Sequence, residues 1–178
     1  MIIYLEGPDG SGKSTLSDAI VQALADYDCA VYQVKDGNCA INTHPKSPDR
    51  NTLNDLVLAM VSMAYDDDKI YVLDRGPISD VIYREFDKFE PVIRRGPLTS
   101  LLDAMIQDGK LIMIFCQTEL AEEKMLERGD DNPIAIKKHK EISYLYKQWG
   151  HLYDYFTYDY SKMELEDFVA KIINELEV

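Results

Sequence analysis

Gly7-Pro8-Asp9-Gly10-Ser11-Gly12-Lys13-Ser14 fits the phosphate-binding pattern G-x-x-x-x-G-K-[ST]. It lies between an apolar stretch, Ile2-Ile3-Tyr4-Leu5-Glu6, and a segment of helical period, the context that the pattern requires. Its chemistry follows from the backbone. The glycines permit the angles that turn successive N–H groups inward, the next helix points its positive end at an anion, and Lys13 reaches the β and γ phosphates of a nucleotide. Ser14 offers a hydroxyl to Mg²⁺. ATP or a close relative is the expected ligand.

Working outward, short apolar runs alternate with amphipathic segments, the rhythm of parallel strands that each lead into a covering helix. Strands are expected at Ile2 to Glu6, Ala30 to Lys35, Ile70 to Asp74, Leu111 to Gln117 and Phe156 to Asp159. Helical stripes run through Leu53, Leu56, Val57, Met60, Val61 and Ala64, through Leu98, Leu101, Leu102, Met105 and Ile106, and through Leu165, Phe168, Val169, Ile172, Ile173 and Leu176. A further helix from about Ile134 to Tyr155 would bury Ile142, Leu145, Trp149, Leu152 and Phe156. It carries Lys137, Lys138, His139 and Lys140 in its first turns, where cations oppose the positive helix terminus and a nearby anion would help. The expected fold is α/β, a five-stranded parallel sheet with helices on both faces, in a single domain over 1–178. Three irregular stretches border it: Gly37 to Arg50, Glu90 to Pro97 with Arg94 and Arg95, and Arg128 to Pro133.

Ile70-Tyr71-Val72-Leu73-Asp74 is a buried-strand pattern ending in a carboxylate, which beside a phosphate-binding loop points Asp74 at Mg²⁺. Arg75 follows at the carboxyl end of the strand, the edge where ligands of open α/β sheets gather, and reads as a phosphate clamp. Together, Glu6-Gly7-Pro8-Asp9-Gly10-Ser11-Gly12-Lys13-Ser14-Thr15 and Asp74-Arg75-x-x-x-Ser79-x-x-x-Tyr83 resemble the thymidylate kinase family of nucleoside monophosphate kinases, which is related to the deoxynucleoside kinases. The likeness extends in element order over most of the chain, but its specific support is these two segments and a looser Lys124-x-x-x-Arg128. It implies a P-loop kinase fold, Arg75 on the acceptor phosphate, and Tyr83 beneath the sugar beside Ser79, leaving no room for a 2′-hydroxyl. It also implies a mobile LID at about 124–140 from which Arg128 supplies positive charge, because Gly10 stands where some members carry an arginine.

The acceptor side departs from that family. Lys35-Asp36-Gly37-Asn38 replaces its Arg-Glu-Pro-Gly segment, and Gly76 its common aromatic residue. Asp36 is the candidate substitute for the missing glutamate, Arg94 and Arg95 are candidate acceptor-phosphate ligands, and Tyr65, Phe86 and Phe89 are candidates to stack on the base.

Composition bounds the partners. Across 178 residues, 46% hydrophobic and 29% charged, 19 Lys and Arg stand against 32 Asp and Glu, a formal charge of −13. That offers no basic track for a nucleic-acid polymer and leaves a small nucleotide held by local cations. Cys29, Cys39 and Cys116 form no Cys-x-x-Cys pair, no signal-like start precedes Tyr4, and no apolar run approaches the ~20 residues that span a bilayer, so a cytoplasmic protein free of membrane is expected. Kinases of the resembled kind are often homodimers, and the sequence leaves that open. The expected activity is transfer of the ATP γ-phosphoryl to a deoxynucleoside monophosphate. The alternatives are a deoxynucleoside kinase, for which Asp36 would be the general base, and a non-catalytic nucleotide-dependent switch.

Overall fold

The computed structural model describes residues 1–25, 27, 30–35, 50–66, 68–86, 95–129, 138–153 and 155–176. In chain order it contains β1 (Ile2–Glu6), α1 (Lys13–Leu24), β2 (Ala30–Lys35), α2 (Arg50–Ala64), β3 (Lys69–Asp74), α3 (Pro77–Phe86), α4 (Arg95–Gln107), β4 (Leu111–Cys116), α5 (Ala121–Arg128), α6 (His139–Gly150), β5 (Phe156–Tyr158) and α7 (Leu165–Glu175). The five strands form one parallel sheet in the order β2-β3-β1-β4-β5. A strand covered on both faces must be apolar throughout rather than alternating, and β1, in the middle, is buried along its whole length.

The two faces have separate cores. Ile3, Leu5, Val72, Ile114 and Cys116 pack against α1 and α7 through Leu16, Ile20, Leu24, Phe168 and Ile172. On the other face Ile2, Tyr4, Leu73, Met113 and Phe115 meet Met60 of α2, Ile78 and Ile82 of α3, Leu102 of α4 and Trp149 of α6. The helix after β1 therefore covers one face while those after β3 and β4 cover the other. This divergence opens a crevice over the carboxyl ends of β1 and its neighbours, where the phosphate-binding loop sits.

Boundaries shift slightly from expectation. β3 starts one residue earlier, at Lys69, and β4 and β5 each end one residue sooner. α4 already begins at Arg95, taking in Gly96 and Pro97, because a first-turn N–H has no partner within the helix and proline loses nothing there. The helix expected to reach Tyr155 stops at Gly150, and 134–137 lie outside the described residues. Beyond it the chain folds back, setting the Tyr155 ring 3.2 Å from where a Gly150 Cβ would stand. Leu152 is consequently 43% exposed rather than core, and Phe156 enters β5. No helix among the described residues is long and apolar enough to cross a membrane.

Phe168 ties α7 to the sheet, its ring 4.9 Å from that of Tyr158 and almost wholly buried. Phe168→Ala should remove about 3–5 kcal/mol of stability, read as a lower denaturant midpoint at an unchanged m-value.

Candidate active site

The loop between β1 and α1 is shaped by backbone that side chains would not tolerate. At Gly7, φ is 150° and a Cβ would stand 2.1 Å from the Cys116 carbonyl oxygen; at Gly12, φ is 86°. Lys13, the first residue of α1, is buried inside the loop, donating to the Pro8 carbonyl at 2.7 Å and the Ser11 hydroxyl at 3.5 Å. Burial, with the nearby Arg75 charge, pushes its ammonium down to about 8 against the pull of Asp9 and Asp74. Ser14 donates to Asp74 Oδ2 at 2.6 Å. Asp74 Oδ1 is buried with no hydrogen-bond partner among the described residues. A hydroxyl and a carboxylate with one unused oxygen suit Mg²⁺, a hard cation that takes one or two protein oxygens beside phosphate and water. Ser14 and Asp74 would hold it.

A second cluster adjoins the loop and is organised by Glu6, the last residue of β1. Its fully buried carboxylate accepts from the Gly76 N–H at 3.0 Å, the Ser79 N–H at 3.1 Å and the Ser79 hydroxyl at 2.5 Å, and from the Tyr4 hydroxyl. Tyr4 in turn accepts from the Ile78 N–H at 3.1 Å. The first turn of α3 thus has its free N–H groups capped from a neighbouring strand, by an anion placed at the positive helix end. Burial pushes the Glu6 carboxyl up, while the Ser79 and Tyr4 hydrogen bonds and the Arg75 charge oppose the rise.

Arg75 bridges the two clusters. Among the described residues it is the one non-glycine with positive φ, at 75°, in a conformation that strains a side-chain-bearing residue and is kept only where surroundings impose it. Its N–H extends the ladder by donating to the Leu5 carbonyl at 3.0 Å. Its guanidinium pairs with Asp9, donates to Ser79 Oγ at 3.3 Å and the Tyr146 hydroxyl at 3.4 Å, and lies 5.5 Å from the Tyr83 ring centroid. Tyr83 donates to the other Asp9 oxygen at 2.9 Å. Burial works against the Arg75 charge, but Tyr146, Tyr83, Asp9 and Glu6 outweigh it and hold the guanidinium more firmly protonated than usual.

Asp9, Lys13, Ser14, Asp74, Arg75, Ser79 and Tyr83 therefore converge. Gly10 packs beneath α5, where a Cβ would stand 2.3 Å from the Ala121 carbonyl oxygen. Tyr160 lies against Gly12, donates to the Gly10 carbonyl at 3.4 Å, and feels the charges of both Lys124 and Arg128. Arg128 ends α5 and is exposed, so this helix carries its last cation near the loop. Lys124 pairs with Glu127 at 2.7 Å, and Thr15 is exposed on α1. Asp36, Arg94 and Phe89 lie outside the described residues; Arg95 opens α4 and Phe86 closes α3. The expectation that Tyr65 stacks on a base is corrected: it follows α2 at the amino edge of the sheet, with its hydroxyl on Asp108 at 2.6 Å. The sequence reading omitted the roles of Tyr4, Glu6 and Tyr146. A signal existed for each, since Tyr4 and Glu6 alternate onto one face of β1, and Tyr146 falls one helical turn from Ile142.

This five-stranded parallel sheet, with a phosphate-binding loop after its central strand, is the fold of P-loop kinases. No family model matches the chain, and no curated protein matches it in sequence. Solved structures share the fold. YorR of Bacillus subtilis, in complex with phosphorylated GDP, is similar with a TM-score of 0.70 at 19% identity, over 99% of this chain and 96% of that one. APE1195 gives 0.60 at 14% identity, over 99% and 94%. The deoxyadenosine kinase of M. mycoides, with products dCMP and a flexible dCDP bound, gives 0.52 at 17%, over 99% of both chains.

Lys13 generates a pH prediction. In the free protein its ammonium loses its proton near 8, whereas a phosphate against Nζ favours the charged form. Binding must then take up a proton above that pH. ADP affinity should fall by up to about tenfold per pH unit above 8, with proton uptake seen calorimetrically in buffers of different ionisation enthalpy. Lys13→Met should bind more weakly and lack this limb.

Proposed function

We infer that the chain is a phosphotransferase that moves the γ-phosphoryl of ATP to a deoxynucleoside monophosphate. The observation that carries this reading is Arg75, a partly buried cation at the carboxyl edge of β3, tied to Asp9 of the loop and flanked by Ser79 and Tyr83. A nucleotide-dependent switch needs the loop and Asp74 but has no use for this second cationic cluster.

The chemistry asks little covalent help of the protein. Loop N–H groups and Lys13 hold the β and γ phosphates of the donor, Arg75 orients the acceptor phosphate, and Arg128, at the end of α5, brings charge to the equatorial oxygens from a LID at 124–140, of which 130–137 lie outside the described residues. Ser14 and Asp74 would hold Mg²⁺, which would supply charge neutralisation to the donor phosphates. A monophosphate acceptor suits the carboxylates. Among the described residues Asp9 is taken by Arg75 and Tyr83, and Glu6 by the start of α3, so neither is a ready base for a nucleoside hydroxyl. Asp36 keeps that role open for the deoxynucleoside kinase alternative.

Product analysis with ATP, Mg²⁺ and a panel of ribo and deoxy nucleosides and monophosphates tests the reading. Deoxynucleoside diphosphate should form, with deoxyribose preferred by roughly 5- to 150-fold in kcat/KM. Tyr83→Phe should retain most of that preference and Tyr83→Ala should lose it, because the ring rather than the hydroxyl excludes the 2′ oxygen. Products from nucleosides alone, with a large fall in kcat for Asp36→Asn, would instead establish the nucleoside kinase. No phosphorylated product across the panel would favour the switch.

A further inference from the structure

On the face of the sheet covered by α6, a cavity of about 520 Å³ opens between that helix and the carboxyl ends of β4 and β5. It adjoins the candidate active site without coinciding with it. Of the phosphate-binding loop, Pro8 alone lines it, and neither Lys13, Asp74 nor Arg75 reaches it. The size lies in the range of small-molecule sites, ~300–1,000 Å³, and exceeds what an inorganic anion would fill.

The walls have a definite chemistry. α6 contributes Lys140, Tyr144 and Lys147, at spacings that keep them on one side of the helix, and His151 follows at its end. Neither Lys140 nor Lys147 forms an ion pair with another described residue. In a chain of charge −13, two such lysines facing one cavity are a local exception and a seat for phosphate. The Tyr144, Tyr155 and Phe115 rings offer an aromatic surface for a base. Glu119 and Glu122, from the turn after β4 and the start of α5, offer acceptors to sugar hydroxyls or base amino groups. Asp159 also lines the cavity but is engaged by Lys162 at 2.8 Å and the Ser161 N–H at 3.1 Å.

We propose that this cavity is a second nucleotide site, binding a nucleoside phosphate as an effector of the phosphate-binding loop. The connection is physical and short. Tyr146 lines the cavity, while its hydroxyl lies 2.7 Å from Ser79 Oγ and accepts from Arg75. Pro8 lines it too, and its carbonyl holds the Lys13 ammonium. A ligand that moves either residue shifts a cation of the active site.

The single tryptophan, Trp149, lies buried on α6 between two cavity-lining residues, Lys147 and Gly150, and reports occupancy by its fluorescence. Equilibrium dialysis of the full chain with ADP, GDP, dTMP and dCMP, alongside Trp149 titrations, counts the sites whether or not the chain transfers phosphate. For at least one of these nucleotides, wild type should bind one equivalent more than Lys140→Glu/Lys147→Glu. The fluorescence change should track that equivalent and survive in Lys13→Ala. Equal stoichiometry in wild type and the double variant for every nucleotide overturns the proposal. So does loss of the extra equivalent in Lys13→Ala, which would make the cavity an extension of the active site, or an equal response to inorganic phosphate alone, which would make it an anion site without a base.

Discussion

The Glu6 carboxylate is the point on which the candidate active site turns. It ends the central strand, is wholly buried, and faces the start of α3, where free N–H groups and a helix dipole demand an anion. A buried carboxylate is otherwise expensive, and a buried helix terminus equally so; each satisfies the other. Because Gly76 and Ser79 are fastened to Glu6, Arg75 immediately before them is held with positive φ and its guanidinium is turned toward Asp9. One contact between β1 and α3 thereby sets the distance between the phosphate-binding loop and the second cationic cluster.

The charges are arranged to await an anion. Burial first, and then the Arg75 charge, loosens the Lys13 proton, while Asp9 and Asp74 hold it. The excess of acid over the whole chain repels anions at long range, so any phosphate ligand would depend on these two cations and on the amide groups of the loop at short range. Ser14 in the first turn of α1 and Asp74 at the end of β3 meet beside that loop, with one carboxylate oxygen without a partner among the described residues. The side chains proposed to neutralise a nucleotide's phosphates are thus already gathered by contacts within the protein.

Much of this was legible in the sequence because its signals are local. β1 and β2 read correctly to the residue, β1 because a strand buried on both faces is an uninterrupted apolar run, and the loop announced itself by glycine spacing. Asp74, Arg75, Ser79 and Tyr83 were legible by their distances from a strand end. The cap was not, because Tyr4, Glu6 and Tyr146 come from three elements whose meeting depends on strand order, and a buried tyrosine in an apolar run looks like packing. Leu152 misled because a helical stripe continues past the glycine where the chain folds back, and Tyr65 because an aromatic near a helix end carries no mark of which sheet edge it occupies.

The claim that a strand carboxylate fixes the start of α3 is tested most directly by amide hydrogen exchange in Glu6→Gln and Glu6→Met. Each orphaned N–H is worth about 1–3 kcal/mol, so protection at Gly76 and Ser79 should fall by roughly 5- to 150-fold in the Met variant and less in the Gln variant. The Arg75 amide, bonded to Leu5 in the ladder, should stay protected in both. Unchanged protection at Gly76 and Ser79, or a uniform loss across the whole sheet, would contradict the account.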